Sequence, residues 1–280
     1  MTKLLMKPVG GCISPKSMSD PVCSSNVNTS KHLQWLPKNY GGPVDIELYI
    51  DEGILQGLAV PRKKYGWLLE SPGYNADCIN YLKNNIEIAR AHYECIFTPI
   101  DELVLMGEPF KYCISNAAPW TLPENRGKHQ KTKLVSMLVS NAYRLSGHIY
   151  RWDYMNKHKD ELEVFGWGHK PLSKTDEAFI DYMFTVTMEN DTTDSYFTER
   201  LTSPMTTYTV PIYRGSKHVV SKYFNPKGIL FDDEISLSEL SSELYYSMMP
   251  YLEENYEIAC KWEVADDYIV RNYFLKDLNK

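Results

Sequence analysis

Residues 184–200 read FTVTMENDTTDSYFTER. The β-prone run Phe184, Thr185, Val186, Thr187 predicts a strand. Glu189 and Asn190 close it, a polar loop follows, and Thr198 ahead of Glu199 and Arg200 has the pattern of a helix cap. Two carboxylates, an amide, a tyrosine and a guanidinium thus fall between the end of one strand and the start of the next helix. An open α/β sheet holds its ligands at that place.

The flanking sequence repeats the same alternation. KLVSMLVSN (133–141), LEVFGWG, VPIYRG and GILFDD read as strands. GHIYRWDYMNKHKDE, KTDEAFIDYM, TERLTSPMTTY and KHVVSKYF read as helices between them, the second opened by a capping-type Thr-Asp-Glu. Upstream, KLLM, VDIELYID, YGWLLES, YECIFT and KYCISN are further strand candidates. Between them CINYLKNNIEIARAHY puts Ile79, Leu82, Ile86 and Ala89 on one face of an expected helix. APWTLPENRGKHQKT has two prolines, a glycine and basic residues but no periodicity, and reads as a linker. The expected organisation is a Rossmann-like domain over 1–118, a linker over 119–131, a second Rossmann-like domain over 132–235 and a helical tail over 236–280. In the tail Pro250 is expected to break or kink the helix. The fold class is α/β, with two Rossmann-like domains facing each other across a cleft.

Bulk properties exclude several classes. The 280 residues carry a formal charge of -6, which argues against nucleic acid or an anionic membrane as partner. Six cysteines (Cys12, Cys23, Cys78, Cys95, Cys113, Cys260) form no CxxC pair and read as reduced thiols, neither a disulfide frame nor a zinc site. No apolar run has the length of a signal peptide core or a membrane span, so a soluble cytoplasmic protein is expected. Neither GxGxxG nor GxxxxGK[ST] occurs, which speaks against a standard dinucleotide fingerprint or P-loop. The 21 tyrosines suit either a Tyr-rich core or sugar and base stacking. Asp191, Asp194, Asp232 and Asp233 read as solvated loop charges.

At the strand end, Glu199 is suited to accept bonds from sugar hydroxyls and Arg200 to meet an anion. A carboxylate and a cation side by side fit a ribose joined to a diphosphate. A capped helix with two solvated charges is the alternative.

The run EN-x5-YFTER (189–200), followed by TVPIYRG and YFNPKGILFDD, resembles the C-terminal signature of glycosyltransferase family 10, the α1,3/1,4-fucosyltransferases. KLVSMLVSN, GHIYR (147–151) and LEVFGWG resemble further elements of that family in the same order, and GWLLESP (66–72) resembles its F-E-S-P segment. The resemblance implies a GT-B fold and an inverting transfer of L-fucose from GDP-β-L-fucose to a glycan hydroxyl, giving an α1,3 or α1,4 fucoside. It implies Glu70 as catalytic base. It also implies a donor site of Arg151, Asn190, Tyr196, Glu199 and Arg200, with backbone after Val164 and Phe165 toward the guanine. Arg144 is the alternative to Arg151, and His148 is either a phosphate donor or a helix cap. Arginine at 200 stands where the family usually has lysine, so a planar fork replaces a point charge. No metal is implied as a requirement, with manganese or magnesium at most a non-essential stimulant. Trp67, Tyr74 and Trp120 are candidates to line the acceptor site. Two other readings remain open, a GT-B enzyme with a different nucleotide sugar and a catalytically silent sugar-binding scaffold.

Overall fold

The β-branched and aromatic runs form strands that lie parallel, because the segments between them return the chain to the same sheet edge through helices or long loops. The computed structural model describes residues 3–17 and 27–275; Cys23 lies outside them. The chain divides into two units, Met1–Asn116 with Glu263–Lys280, and Ala117–Trp262.

The first unit holds β1 (Leu4–Gly10), β2 (Leu33–Trp35), β3 (Ile46–Ile50), β4 (Lys64–Trp67), β5 (Tyr93–Thr98) and β6 (Phe110–Tyr112), in the order β2-β1-β3-β4-β5-β6. All its pairings are parallel. Its helices are α1 (Gly53–Gly57), α2 (Ala76–Asn84), α3 (Ile86–His92) and α4 (Asp101–Leu105). The single helix expected after Tyr74 is therefore two. Asn85 leaves helical geometry at φ -133°, and its amide donates to the Tyr81 carbonyl at 2.9 Å. An asparagine side chain competes in this way with the helical ladder. The expected apolar face survives the break, with Ile79, Leu82 and Ala89 buried and Ile86 packed beside them.

The second unit holds β7 (Lys133–Val139), β8 (Glu163–Gly166), β9 (Tyr182–Met188), β10 (Val210–Arg214) and β11 (Leu230–Phe231), in the order β11-β10-β9-β7-β8. These pairings too are parallel. Its helices are α5 (Ser146–His158), α6 (Glu199–Met205), α7 (Lys217–Tyr223), α8 (Ser242–Ser247) and α9 (Met249–Lys261). The helix expected over KTDEAFIDYM is only a 3-10 turn, Thr175–Ala178. β9 starts at Tyr182, and Ala178, Phe179 and Tyr182 are buried together with Phe165, so tertiary packing overrides the local helical pattern.

The expected linker and tail are both drawn into cores. Thr121 donates to the Ser203 carbonyl at 2.9 Å, and the Gly127 amide to the Thr206 carbonyl at 2.9 Å. Lys131 is buried, its ammonium donating to the carbonyls of Phe179 (3.2 Å), Ile180 (2.9 Å) and Thr207 (2.8 Å) and to the Thr209 hydroxyl (2.8 Å). Burial pulls its pKa down to about 7. Lys131→Met keeps the length but strands those acceptors, and should destabilise the protein by about 2–4 kcal/mol. A lowered urea midpoint at an unchanged slope checks this, and an unchanged midpoint refutes it.

In the tail, Tyr245, Met248 and Leu252 pack into the core of the second sheet. Pro250 lies in the first turn of α9 and begins that helix, where its missing N–H costs nothing. The final helix α10 (Ala265–Ile269) and the π-helical turn Val270–Phe274 belong to the first unit. There Asp266 accepts from the Trp35 indole at 2.6 Å, Asp267 accepts from the Lys31 amide at 2.9 Å, and Phe274 meets the Tyr65 ring edge-on at 4.8 Å. Among the described residues no helix is long and apolar enough to cross a membrane.

Candidate active site

In the second unit the site grows from the end of β9. Glu189, the residue after the strand, is buried, and its carboxylate accepts from the Thr198 amide (2.9 Å), the Thr198 hydroxyl (2.8 Å) and the Tyr213 hydroxyl (3.2 Å). Thr198 in turn caps α6, accepting from the Arg200 amide at 3.3 Å. This relay locks the loop between β9 and α6 and sets Glu199 and Arg200 on one wall of a cavity of about 170 Å³. Trp120, Leu138, Val139 and Ser140 contribute to its other walls. Burial pushes the Glu199 carboxyl up to about 7, against the pull of Arg200. Burial likewise raises the Glu189 carboxyl.

Arg151 reaches the same strand end from α5. It is 1% exposed, and Nη2 donates to the Met188 carbonyl at 2.5 Å, while Nε and Nη1 have no hydrogen-bond partner among the described residues. Burial, then the Arg200 charge, lowers its pKa. Two like charges and two unspent donors in a dry place suit an anion. Gly147 permits the approach of α5, since a Cβ there would stand 2.6 Å from the Asn190 carbonyl. His148 acts as a cap: its Nδ1 accepts from the Leu145 amide at 3.2 Å, and burial lowers its pKa to about 4, so the ring is neutral. With Nδ1 accepting at the helix start, the neutral ring carries its proton on Nε2, so the capping role is present and a donor N–H remains.

The structure thus gathers Arg151, Glu199 and Arg200 with Glu189 and Tyr213, two residues that the sequence reading gave no role. Asn190 follows Glu189, with a buried Oδ1 that has no hydrogen-bond partner among the described residues. Tyr196 is 4% exposed, near both Arg151 and Tyr213. Arg144 is exposed on the loop before α5. At the end of β8, Gly166 (φ +104°) lies so close to β7 that a Cβ would stand 2.1 Å from the Val139 carbonyl. Asp191 accepts from its own loop, and Asp232 from Arg214 and Tyr150, so both spend their charge locally. Among the described residues no cluster of His, Cys, Asp and Glu has the geometry of a metal site, and Cys12, Cys78, Cys95, Cys113 and Cys260 are unbridged.

Glu70 lies in the first unit, on the turn after β4. It lines a cavity of about 300 Å³ with Cys12, Asp51, Glu52, Tyr74 and Asn75. Burial raises its carboxyl, while the Cys12 thiol and the Ser71 amide, both hydrogen-bonded to it, pull the other way. Asp51 was not marked by sequence. It is 3% exposed, and Oδ1 accepts from the Leu69 amide (2.8 Å), the Glu70 amide (3.1 Å) and the Asn75 side chain (2.8 Å). The aromatic candidates divide. Tyr74 does line this cavity. Trp67 is fully buried in the core because strand β4 is covered on both faces, and so cannot line a site. Trp120 belongs to the cavity of the second unit, not to an acceptor-side surface.

Two parallel α/β sheets, with polar and charged side chains collected at strand ends, define a Rossmann-type fold, a class that holds its ligands at such ends. The family model described as glycosyltransferase family 10 (fucosyltransferase) C-term matches residues 128–270, just over half of the chain, and the chain belongs to that family. Among solved structures, a crystal structure of an α1,3-fucosyltransferase is similar at a TM-score of 0.52 and 16% identity, covering 89% of this chain and 82% of that one. One with GDP aligns at a TM-score of 0.48 and 15% identity (83% and 73% covered), and one with GDP-fucose at 0.35 and 15% (81% and 71%). No curated protein matches by sequence. The similarity at 0.52 supports the GT-B fold expected from the sequence.

Proposed function

We propose that the protein is an inverting fucosyltransferase, moving L-fucose from GDP-β-L-fucose to a hydroxyl of a glycan acceptor and leaving an α1,3 or α1,4 fucoside. The observation that carries the donor half of this reading is the buried Arg151, whose Nε and Nη1 await an acceptor beside Arg200. A diphosphate supplies several charged oxygens and relieves the repulsion between the two guanidiniums. Glu199 then accepts the ribose hydroxyls, and the apolar wall of Leu138 and Val139 beside Trp120 suits a nucleobase. Asn190 and Tyr196 complete the donor set. Fucose as the sugar and guanine as the base come from membership of the family.

The acceptor hydroxyl gives its proton to the Glu70 carboxylate as its oxygen bonds to the anomeric carbon. The bond from that carbon to the β-phosphate oxygen breaks on the opposite face, and its electron pair leaves with GDP, whose growing charge Arg151 and Arg200 meet. Glu70 then returns its proton to solvent. The reading gives no step to a metal.

Calorimetry of GDP, GDP-fucose, GDP-mannose and UDP-galactose in metal-free buffer tests the donor. The guanine ligands should bind and UDP-galactose should not; binding of UDP-galactose as tight as that of GDP-fucose refutes the donor, and no binding at all leaves a silent scaffold. A pH series on GDP adds a prediction. Glu199 accepts hydroxyl protons only as a carboxylate, so affinity should rise roughly tenfold from pH 6 to 8, through a pKa of about 7. Glu199→Gln should flatten that rise beyond what GDP itself contributes. Stability runs the opposite way. The folded pKa lies above the ordinary 4.5, so the native state holds the extra proton, and this group's contribution falls as pH climbs from 4.5 to about 7.

A further inference from the structure

Both peptide groups flanking the Cα of Glu70 are held by side chains. Its amide donates to Asp51 Oδ1 at 3.1 Å, and its carbonyl accepts from Asn75 Nδ2 at 3.1 Å. Asn75 Nδ2 also donates to Asp51 Oδ1 at 2.8 Å, so the two side chains close a clamp around one residue. Asp51 itself sits in the left-handed region at φ +52°, a backbone conformation that aspartate tolerates and most residues do not. Only one of its two oxygens is used. Oδ2 is buried with no hydrogen-bond partner among the described residues.

A clamp alone needs an acceptor oxygen, which an asparagine supplies without charge. A carboxylate with one oxygen buried and unsatisfied costs stability. The titratable groups acting around it are Glu70 on the turn after β4, Glu52 beside it, Cys12 after β1 and Cys78 on α2. Cys78 donates its thiol to the Asp51 carbonyl, at 3.7 Å. Burial first, and the Glu70 charge last, raise the Asp51 carboxyl to about 6, while its hydrogen bonds from Asn75, Glu70 and Leu69 pull it down. What Asp51 offers Glu70 is therefore its hydrogen-bonding oxygen.

We propose that Asp51, together with Asn75, is a positioning residue for the catalytic base: the clamp fixes the turn that aims Glu70. This rests on the reading of Glu70 as the base.

Asp51→Ala and Asn75→Ala each open the clamp, whereas Asp51→Asn keeps an Oδ1 that accepts from Leu69 and Glu70. The expected result is a kcat lowered about tenfold in the two alanine variants with the acceptor KM little changed, recovered in Asp51→Asn, and a GDP affinity at the wild-type value throughout. Wild-type kcat in both alanine variants, with Glu70→Gln inactive, overturns the proposal and leaves the base assignment standing. An active Glu70→Gln removes the base, and the proposal falls with it. If Asp51→Ala does not fold, wild-type kcat in Asn75→Ala is the overturning result.

Discussion

Glu70→Gln should abolish fucose transfer while leaving the affinity for GDP unchanged. Glutamine keeps the shape of the side chain and loses only its ability to take a proton. Loss of a general base costs about 10²–10⁴ in rate. Glu70 is suited to the task because burial raises its carboxyl toward working pH, and a stronger base takes the proton of a sugar hydroxyl more readily. Two readouts make the test specific. Transfer measured with saturating donor should collapse, and calorimetric GDP binding should match wild type, because the donor residues belong to the second unit. Transfer within tenfold of wild type would move the base elsewhere. The surviving activity of the wild-type enzyme should also fall as pH drops through the raised pKa of Glu70, since only the carboxylate can act.

Arg151→Ala should weaken GDP binding by about 10²-fold and lower transfer further, a cost of a few kcal/mol. Arg151 is 1% exposed, so its charge acts through little water, and two of its nitrogens have no competing partner among the described residues. Arg151→Lys should recover only part of the loss, because a point charge cannot hold the Met188 carbonyl and two phosphate oxygens with the geometry of a fork. Calorimetry of GDP against the three proteins reads the series. Unchanged affinity in Arg151→Ala would transfer the role to Arg144, although that residue is exposed on the preceding loop.

The parts of the fold legible in the sequence are those where local pattern and tertiary packing agree. β9, the loop after it and the Thr198 cap all follow from residues 184–200, since a strand period, a polar break and a capping hydroxyl each act over a few residues. KTDEAFIDYM carries a helical start signal too, yet the chain has only Thr175–Ala178 in which to turn before β9 begins. The Asn84–Asn85 pair interrupts a helix whose apolar spacing runs on unbroken. Lys131 read as part of a linker, because nothing in its neighbourhood announces carbonyls from Phe179, Ile180 and Thr207.

The same division runs through the site. Sequence alone determined the α/β class and the family signature, and through that resemblance it named the groups proposed to meet a nucleotide sugar: Arg151, Glu199, Arg200 and, on the other unit, Glu70. These are chemical types at short spacings, and short spacings survive in a string of letters. Only the tertiary structure decided that Glu189 is a buried strut between Thr198 and Tyr213, that Arg151 keeps two donors unspent, and that Asp51 and Asn75 close around Glu70. Burial and hydrogen-bond satisfaction are properties of residues that are distant in the chain, 24 positions apart for Glu189 and Tyr213. Desolvation and partners set by those contacts give each carboxylate its strength, so the chemistry of these groups is written in the fold and not in their order.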